Sequence, residues 1–331
     1  MLPSLNAGRP ESSEIYENVT TRKGESNALL LSWEQMKRDK FLRRAIATAT
    51  ILSMPAAATA GQDATEQIRA IEKSSGGRFG VFALDTRNGR NLSHRADERF
   101  PMCSTFKFLT VAALLTRVDT RNEQLDRHIT FGKSDLLSHA PVTSKHVADG
   151  FMIVSALCEA ALVYSDNTAA NLLLGTVGGP PGVTRYARTL GDSVTTLNRT
   201  EPELNTAIPG DFRDTTTPVA MASDMRKILL GDALSAPSRS GLSAWLVACR
   251  TGDDLIRAGL PKSWRAGDKT GLGGADNALG DSCTRNDVAI LWPPKRPPVI
   301  VTAYLTESKV SAAARDSAIA AVGRVVSSAL E

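Results

Sequence analysis

The spacing of apolar and polar positions changes period twice along this chain. Residues 80–85 and 91–94 read as two strands, joined by the turn-rich Asp85-Thr86-Arg87-Asn88-Gly89. From Ser104 to Val247 the apolar positions recur at helical spacing, over residues 108–118, 152–163, 169–174, 183–190, 219–230 and 241–248. Gly179-Pro180-Pro181-Gly182 predicts a break between two of these helices, and Thr215-Thr216-Thr217-Pro218 predicts a cap and a first-turn proline for the next. After Trp264 the strand pattern returns in residues 287–292 and 299–305, and a last amphipathic helix is predicted over residues 311–330. Strands at both ends with helices between them imply that the two ends share one antiparallel sheet.

Ahead of this pattern the chain reads as leader rather than fold. Residues 1–35 are polar and without clear periodicity, as expected for a non-structural leader or a misassigned start before Met36. Lys37-Arg38-Asp39-Lys40-Phe41-Leu42-Arg43-Arg44, the apolar stretch 45–57 and Ala58-Thr59-Ala60 make residues 36–60 a signal peptide cleaved near Ala60, and so a periplasmic or secreted protein. Arg43-Arg44 leaves twin-arginine and general secretion both open. Residues 61–331 are then one domain.

Of the 39 basic and 35 acidic residues of the chain, eight and six lie before residue 61, which leaves a net charge of only +2. Basic runs interleaved with aromatics are absent from the sequence, which argues against a nucleic-acid partner. The sequence after the signal has no apolar stretch near 18 residues, which argues against a membrane anchor. Four histidines, none in a His-x-His pair, argue against a zinc-dependent enzyme. The spacing of Cys103, Cys158, Cys249 and Cys283 fits no zinc pattern, and their disulfide connectivity stays open.

The chemistry lies in four clusters in a fixed order: Ser104-Thr105-Phe106-Lys107, Ser165-Asp166-Asn167, Glu201-x-x-x-Asn205 and Lys269-Thr270-Gly271. In the first, a hydroxyl and an amine three residues apart share a helical face, which suits a serine activated by lysine. Taken alone, Ser104 would be a helix cap and Ser-Asp-Asn an ordinary turn. The ordered set, from about Gly76 to the last helix, resembles a class A serine β-lactamase.

That resemblance implies an α/β (α+β) fold of the β-lactamase and transpeptidase type. An α/β part comes from residues 61–98 and 249–331, an inserted all-α part from residues 99–248, and the site lies in the groove between them. It implies that Ser104 is acylated by a penicillin or cephalosporin, with Lys107 and Glu201 both open as the base for that step. Glu201 and Asn205 then hold the water that releases the product, at the start of an Ω-shaped loop whose ends are pinned by Arg199 and Asp214. Ser165 passes a proton to the lactam nitrogen, Asp166 anchors the turn, and Asn167 contacts the substrate side chain. Lys269 and Thr270 bind the substrate carboxylate, Gly271 allows close approach to the backbone, and the N–H of Leu272 joins that of Ser104 as an oxyanion donor. The resemblance calls for no cofactor and no metal, for a small-molecule β-lactam as partner, and for a monomer.

Four features depart from the family. Leu255 stands where many relatives carry an arginine for the substrate carboxylate, and Arg285 is expected to take over that task. His139 stands where relatives often carry an aromatic residue at the groove's rim. The stretch Ala275-Asp276-Asn277-Ala278-Leu279-Gly280-Asp281-Ser282 lengthens a hairpin beside the groove. Cys103 lacks the partner that some carbapenem-hydrolysing relatives place at the position of Gly273. A D,D-peptidase or a lactam-sensing protein, acylated without turnover, is the alternative, and Glu201 with Asn205 argues against it.

Overall fold

Two strands that are apolar on both faces, β8 (Cys283–Trp292) and β9 (Val299–Ser308), decide the architecture. A strand buried on one side only alternates in polarity, whereas these have a core above and a core below. The computed structural model describes residues 56–274 and 283–330. The expected leader, most of the signal segment and the insertion at 275–282 lie outside the described residues. Strands β1 (Arg78–Asp85), β2 (Asn91–His94) and β7 (Arg265–Gly273) join β8 and β9 in one antiparallel sheet of order β2-β1-β9-β8-β7. The two ends of the chain therefore share a sheet, as the pattern predicts.

Alternation along β8 sorts its side chains between the two cores. Val288 and Ile290 pack into the helical layer with Phe106 and Met221. Ala289 and Leu291, with Val301, Ala303 and Leu305 of β9, pack beneath the helix Ala312–Leu330. The helical layer surrounds Phe106–Asp119, whose residues from Phe106 to Leu115 are all buried. It touches the helices Val154–Val163, Asn167–Thr176, Gly179–Thr189 and Ala236–Val247. A helix apolar all round belongs at the centre of a layer. The Thr217 hydroxyl accepts from the N–H of Ala220 at 3.2 Å and caps Pro218–Leu230, with Pro218 in the first turn as expected.

Among the places where the pattern and the structure differ, three change an element's kind or existence. Residues 151–153 form a short strand paired with His128–Thr130, so the helix predicted from Met152 begins at Val154. Gly179-Pro180-Pro181-Gly182 opens a helix rather than separating two. The prolines occupy first-turn positions that need no N–H, and the break falls at Gly178, whose φ of +86° suits glycine. The helix Ala56–Ser75 has no counterpart in the predicted elements. Ala64 and Ile68 on it are buried against the sheet's outer core, and it packs on Ala312–Leu330.

Candidate active site

The four clusters meet where the sheet edge faces the helical layer. Ser104 sits in a single 3-10 turn, Cys103–Thr105, between the short strand β3 (Phe100–Pro101) and the helix Phe106–Asp119. Cys103 adopts a left-handed φ of +46°, unusual for a side-chain-bearing residue, and this turns the chain sharply into the helix. Backbone and side-chain ties hold the turn from both sides. The N–H of Met102 donates to Asp214 O at 2.9 Å, and Asn286 Nδ2 donates to Pro101 O and Met102 O at 2.8 and 3.1 Å.

One helical turn on, Lys107 is fully buried. Its Nζ donates to Ser165 O at 2.7 Å and Asn167 Oδ1 at 2.6 Å, lies 3.0 Å from Glu201 Oε1, and has a longer contact of 3.3 Å to Ser165 Oγ. Three N–H groups facing three close acceptors are what an ammonium requires. Burial pushes the Lys107 ammonium below its usual range, and the Glu201 carboxylate opposes that shift.

Ser165 carries a φ of +58°, which presents its hydroxyl to both lysines; Lys269 Nζ donates to it at 3.0 Å. Asp166, fully buried, caps the helix Asn167–Thr176 through Ala169 N and accepts from Val142 N, Thr143 N and the Thr143 hydroxyl. This fixes the Ser165 turn against the preceding loop. Lys269, on β7, is fully buried, and burial first, then the neighbouring Lys107 charge, lowers it to about 8. The Thr270 hydroxyl meets that of Thr251 at 2.6 Å.

Glu201 precedes a cis bond to Pro202 and is buried. Its Oε1 accepts from the Ser104 hydroxyl at 3.1 Å, and its Oε2 accepts from Asn205 Nδ2 at 2.5 Å. Among the described residues, Asn205 Oδ1 is buried without a protein partner. Arg199 Nε donates to Asp214 Oδ2 at 2.5 Å, so the loop's two ends are joined as the resemblance implies. Gly271 and Gly273 let the strand and the turn touch. A β-carbon on Gly271 would lie 2.9 Å from Met102 O, and one on Gly273 would lie 2.6 Å from Cys103 Sγ and 2.7 Å from Asn205 O. All four cysteines are unpaired, Cys103 and Cys283 included.

Leu272 is half exposed at the strand's end, directly opposite Arg285 on β8, so Arg285 shares a sheet face with Thr270. Its Nε donates to Asp316 Oδ1 of the last helix at 2.6 Å, so it is not a solvated strand end. His139 lies at the rim. Its carbonyl accepts from Asn167 N at 2.9 Å, and its exposed ring is 3.2 Å from Tyr164 O. Three contributors have no motif of their own. Asn171 grips the Glu201 backbone at both N–H and carbonyl, at 3.0 and 2.8 Å; its signal is its place one helical turn after Asn167. Thr251 and Asn286 are brought in by chain packing and strand register, which no local spacing reports.

Comparison with known proteins gives the family. Residues 63–330 match the family model described as the beta-lactamase enzyme family. The chain is 47% identical to Beta-lactamase L2 of Stenotrophomonas maltophilia over 86% of this chain and 90% of that protein, and 44% identical to Beta-lactamase CTX-M-25 of Escherichia coli over 88% and 98%. Among solved structures it is similar to an ancestral class A beta-lactamase, at 59% identity and a TM-score of 0.77 over 80% of this chain and 99% of that one. It is likewise similar to the putative class A beta-lactamase PenP of Rhodopseudomonas palustris, at 52% identity and a TM-score of 0.77 over 81% and 99%. The chain belongs to the class A β-lactamases, serine enzymes that hydrolyse β-lactams and so confer resistance to these antibiotics.

Proposed function

We propose that Ser104 is the nucleophile and that Glu201 serves as base in both halves of the reaction. The observation that carries this reading is the Glu201 carboxylate, held between the Ser104 hydroxyl, Lys107 Nζ and Asn205 Nδ2. In the first half, Ser104 Oγ bonds to the lactam carbonyl carbon and its proton passes to Glu201 Oε1, 3.1 Å away. Lys107, with its three N–H groups committed to other acceptors, keeps the carboxylate and Ser165 in place. The C–N bond then breaks as Ser165 Oγ protonates the departing nitrogen and regains a proton that protonated Glu201 gives up through Lys107, which returns Glu201 to the carboxylate. An amine cannot leave as its anion, so this proton is required.

In the second half, a water bound by Glu201 and by the unpartnered Asn205 Oδ1 attacks the ester. Glu201 takes its proton, and Ser104 leaves with a proton restored. The backbone N–H groups of Ser104 and Leu272 receive the negative oxygen in both tetrahedral states. Lys269 and Thr270 hold the substrate carboxylate, Gly271 leaves room for the ligand, Asn167 contacts the side-chain amide, and His139 lines the rim. Penicillins and cephalosporins are the substrates of this reading. The enzyme acts as a monomer, periplasmic or secreted after cleavage near Ala60, without a nucleic-acid partner.

The test follows absorbance and protein mass together as the chain meets a chromogenic cephalosporin. Many turnovers with little retained adduct are expected, and a Ser104→Ala chain is expected to take up no mass. A persistent adduct on the unsubstituted chain, or any adduct on Ser104→Ala, would overturn the assignment.

Arg285 completes the carboxylate site in place of the arginine that Leu255 lacks. The support is its position one step along the Thr270 face, with Asp316 fixing its Nε. Arg285→Ala should raise KM for carboxylate-bearing lactams about tenfold while sparing kcat, since a ground-state anchor is lost. An unchanged KM would reject the role.

A further inference from the structure

The turn that carries Ser104 has no N-cap side-chain bond at Met102 or Thr105, though the Thr105 hydroxyl donates to Met102 O at 2.8 Å within it. Besides the bond from Met102 N–H to Asp214 O, a row across the sheet seats it: Gly271 of β7, Asn286 of β8 and Tyr304 of β9, directly opposite one another and facing the turn. Gly271 and Asn286 crowd the carbonyl of Met102, since a β-carbon on Gly271 would lie 2.9 Å from that oxygen and 3.1 Å from Asn286 Nδ2. Asn286 is wholly buried, and its Nδ2 reaches the carbonyls of both Pro101 and Met102. Among the described residues its own Oδ1 is buried without a protein partner. That unmatched oxygen is costly, and turning the amide over would aim it at two carbonyls, so the two N–H bonds fix the orientation.

We propose that Asn286 is a positioning residue for the reaction. Its amide clamps the two carbonyls ahead of Ser104 to the sheet, and this sets the spacing of the two oxyanion donors. One donor, the N–H of Ser104, belongs to the turn; the other, the N–H of Leu272, belongs to β7. Their separation depends on how the turn sits against the sheet, and Asn286 fixes that seat from the neighbouring strand. Oxyanion donors act only at short range from the place where charge develops, so a small slip of the turn weakens both tetrahedral states at once. Asn286 touches no substrate; it acts through the turn.

This inference rests on the reading of Ser104 as nucleophile, and the Ser104→Ala control separates the two. If that control takes up an adduct, the nucleophile assignment fails whatever Asn286 does. If it stays inert, the variants at Asn286 bear on the clamp alone. Asn286→Leu keeps much of the volume and removes both donors, and Asn286→Asp keeps the shape and sets an acceptor against two carbonyls. Each is made in the full chain for melting temperature and single-turnover acylation, and again with Glu201→Gln for the infrared carbonyl band of the penicillin adduct.

The expected result is folded protein that acylates about 10²-fold more slowly, as a misplacement near 1 Å can cause. The ester carbonyl band should move to higher frequency, because the oxyanion donors polarise it less. Acylation within about threefold of the unsubstituted enzyme, with the band unmoved, would overturn the proposal. So would two variants that both fail to fold, since Asn286 would then hold the fold rather than the site. If only one folds, its rate and band decide.

Discussion

Replacing Glu201 with glutamine should convert the enzyme into a trap that binds one equivalent of penicillin covalently and releases it slowly. Glutamine keeps the length of the side chain and leaves untouched the bonds from Asn171 to the Glu201 backbone, so the loop should stay in place. What disappears is the proton acceptor. A positioned general base contributes about 10²–10⁴-fold, and release of the product has no second base to fall back on. Acylation does. Burial already lowers Lys107, and Glu201 is the charge that opposes this, so its removal favours the neutral amine one turn from Ser104. Both steps slow, but release slows more, and the adduct accumulates. Mass spectrometry of the quenched reaction should show nearly all of the chain carrying one penicillin, with steady turnover down by about 10³-fold. Turnover within tenfold of the unsubstituted enzyme, with no retained mass, would remove Glu201 from the release step.

The same residues show how far the sequence reaches. The double-sided apolar runs around Val288 to Leu291 and Val299 to Leu305 announce a sheet covered on both faces, and the helical spacing from Phe108 onward announces the layer on one of them. Motif residues could be found because their chemistry is local in the chain: Ser104 lies in the turn that leads into the helix of Lys107, and Glu201 and Asn205 lie four residues apart in one loop. Asn286 and Thr251 act across strands and packed segments, through the register that sets Asn286 opposite Gly271 and through the contact between the Thr251 and Thr270 hydroxyls. Nothing in the spacing of residues along the chain encodes that. The helix Ala56–Ser75 escaped for a different reason, since its first residues are small and apolar and read as the end of the expected signal peptide. Residues 151–153 read as helix because Met152 and Ile153 continue the apolar spacing of the helix behind them, while pairing with His128–Thr130 outweighs it. Arg285 lies between these cases: its face follows from register, and its partner Asp316 comes from an element thirty residues away.

Asp214→Ala should cost the protein both stability and turnover, because its side chain holds the start of the loop through two backbone N–H groups and the Arg199 guanidinium. Asp214 is buried; its Oδ1 accepts from the N–H groups of Asn198 and Arg199 at 2.7 and 2.9 Å, and its Oδ2 takes the Arg199 guanidinium. Its own carbonyl receives the N–H of Met102, two residues before Ser104. Alanine leaves two backbone donors without their acceptor and takes from the largely buried Arg199 guanidinium its nearest carboxylate, leaving it Thr206 Oγ1 at 2.9 Å and Asp211 Oδ2 at 3.8 Å. Removing one member of a buried pair costs about 3–5 kcal/mol, and the lower end applies here because Arg199 keeps some access to water. The φ of +56° at this position adds to the loss, since alanine tolerates the left-handed region poorly. For a domain of this size a loss of about 3 kcal/mol lowers the melting temperature by about 10 °C. Asparagine should recover part of it, because it keeps an acceptor for the backbone N–H groups and accepts the left-handed conformation, though it cannot pair with the guanidinium. Freed at Arg199, the loop no longer holds Glu201 against Ser104, so Asp214→Ala should show a burst of one equivalent followed by release slowed about 10²-fold, the lower range for a lost general base. A variant that melts within 2 °C of the parent and turns over without a burst would mean that Glu201 is held by Asn171 and Lys107 alone. In the expected case, the ion pair that closes the loop is also what places the base.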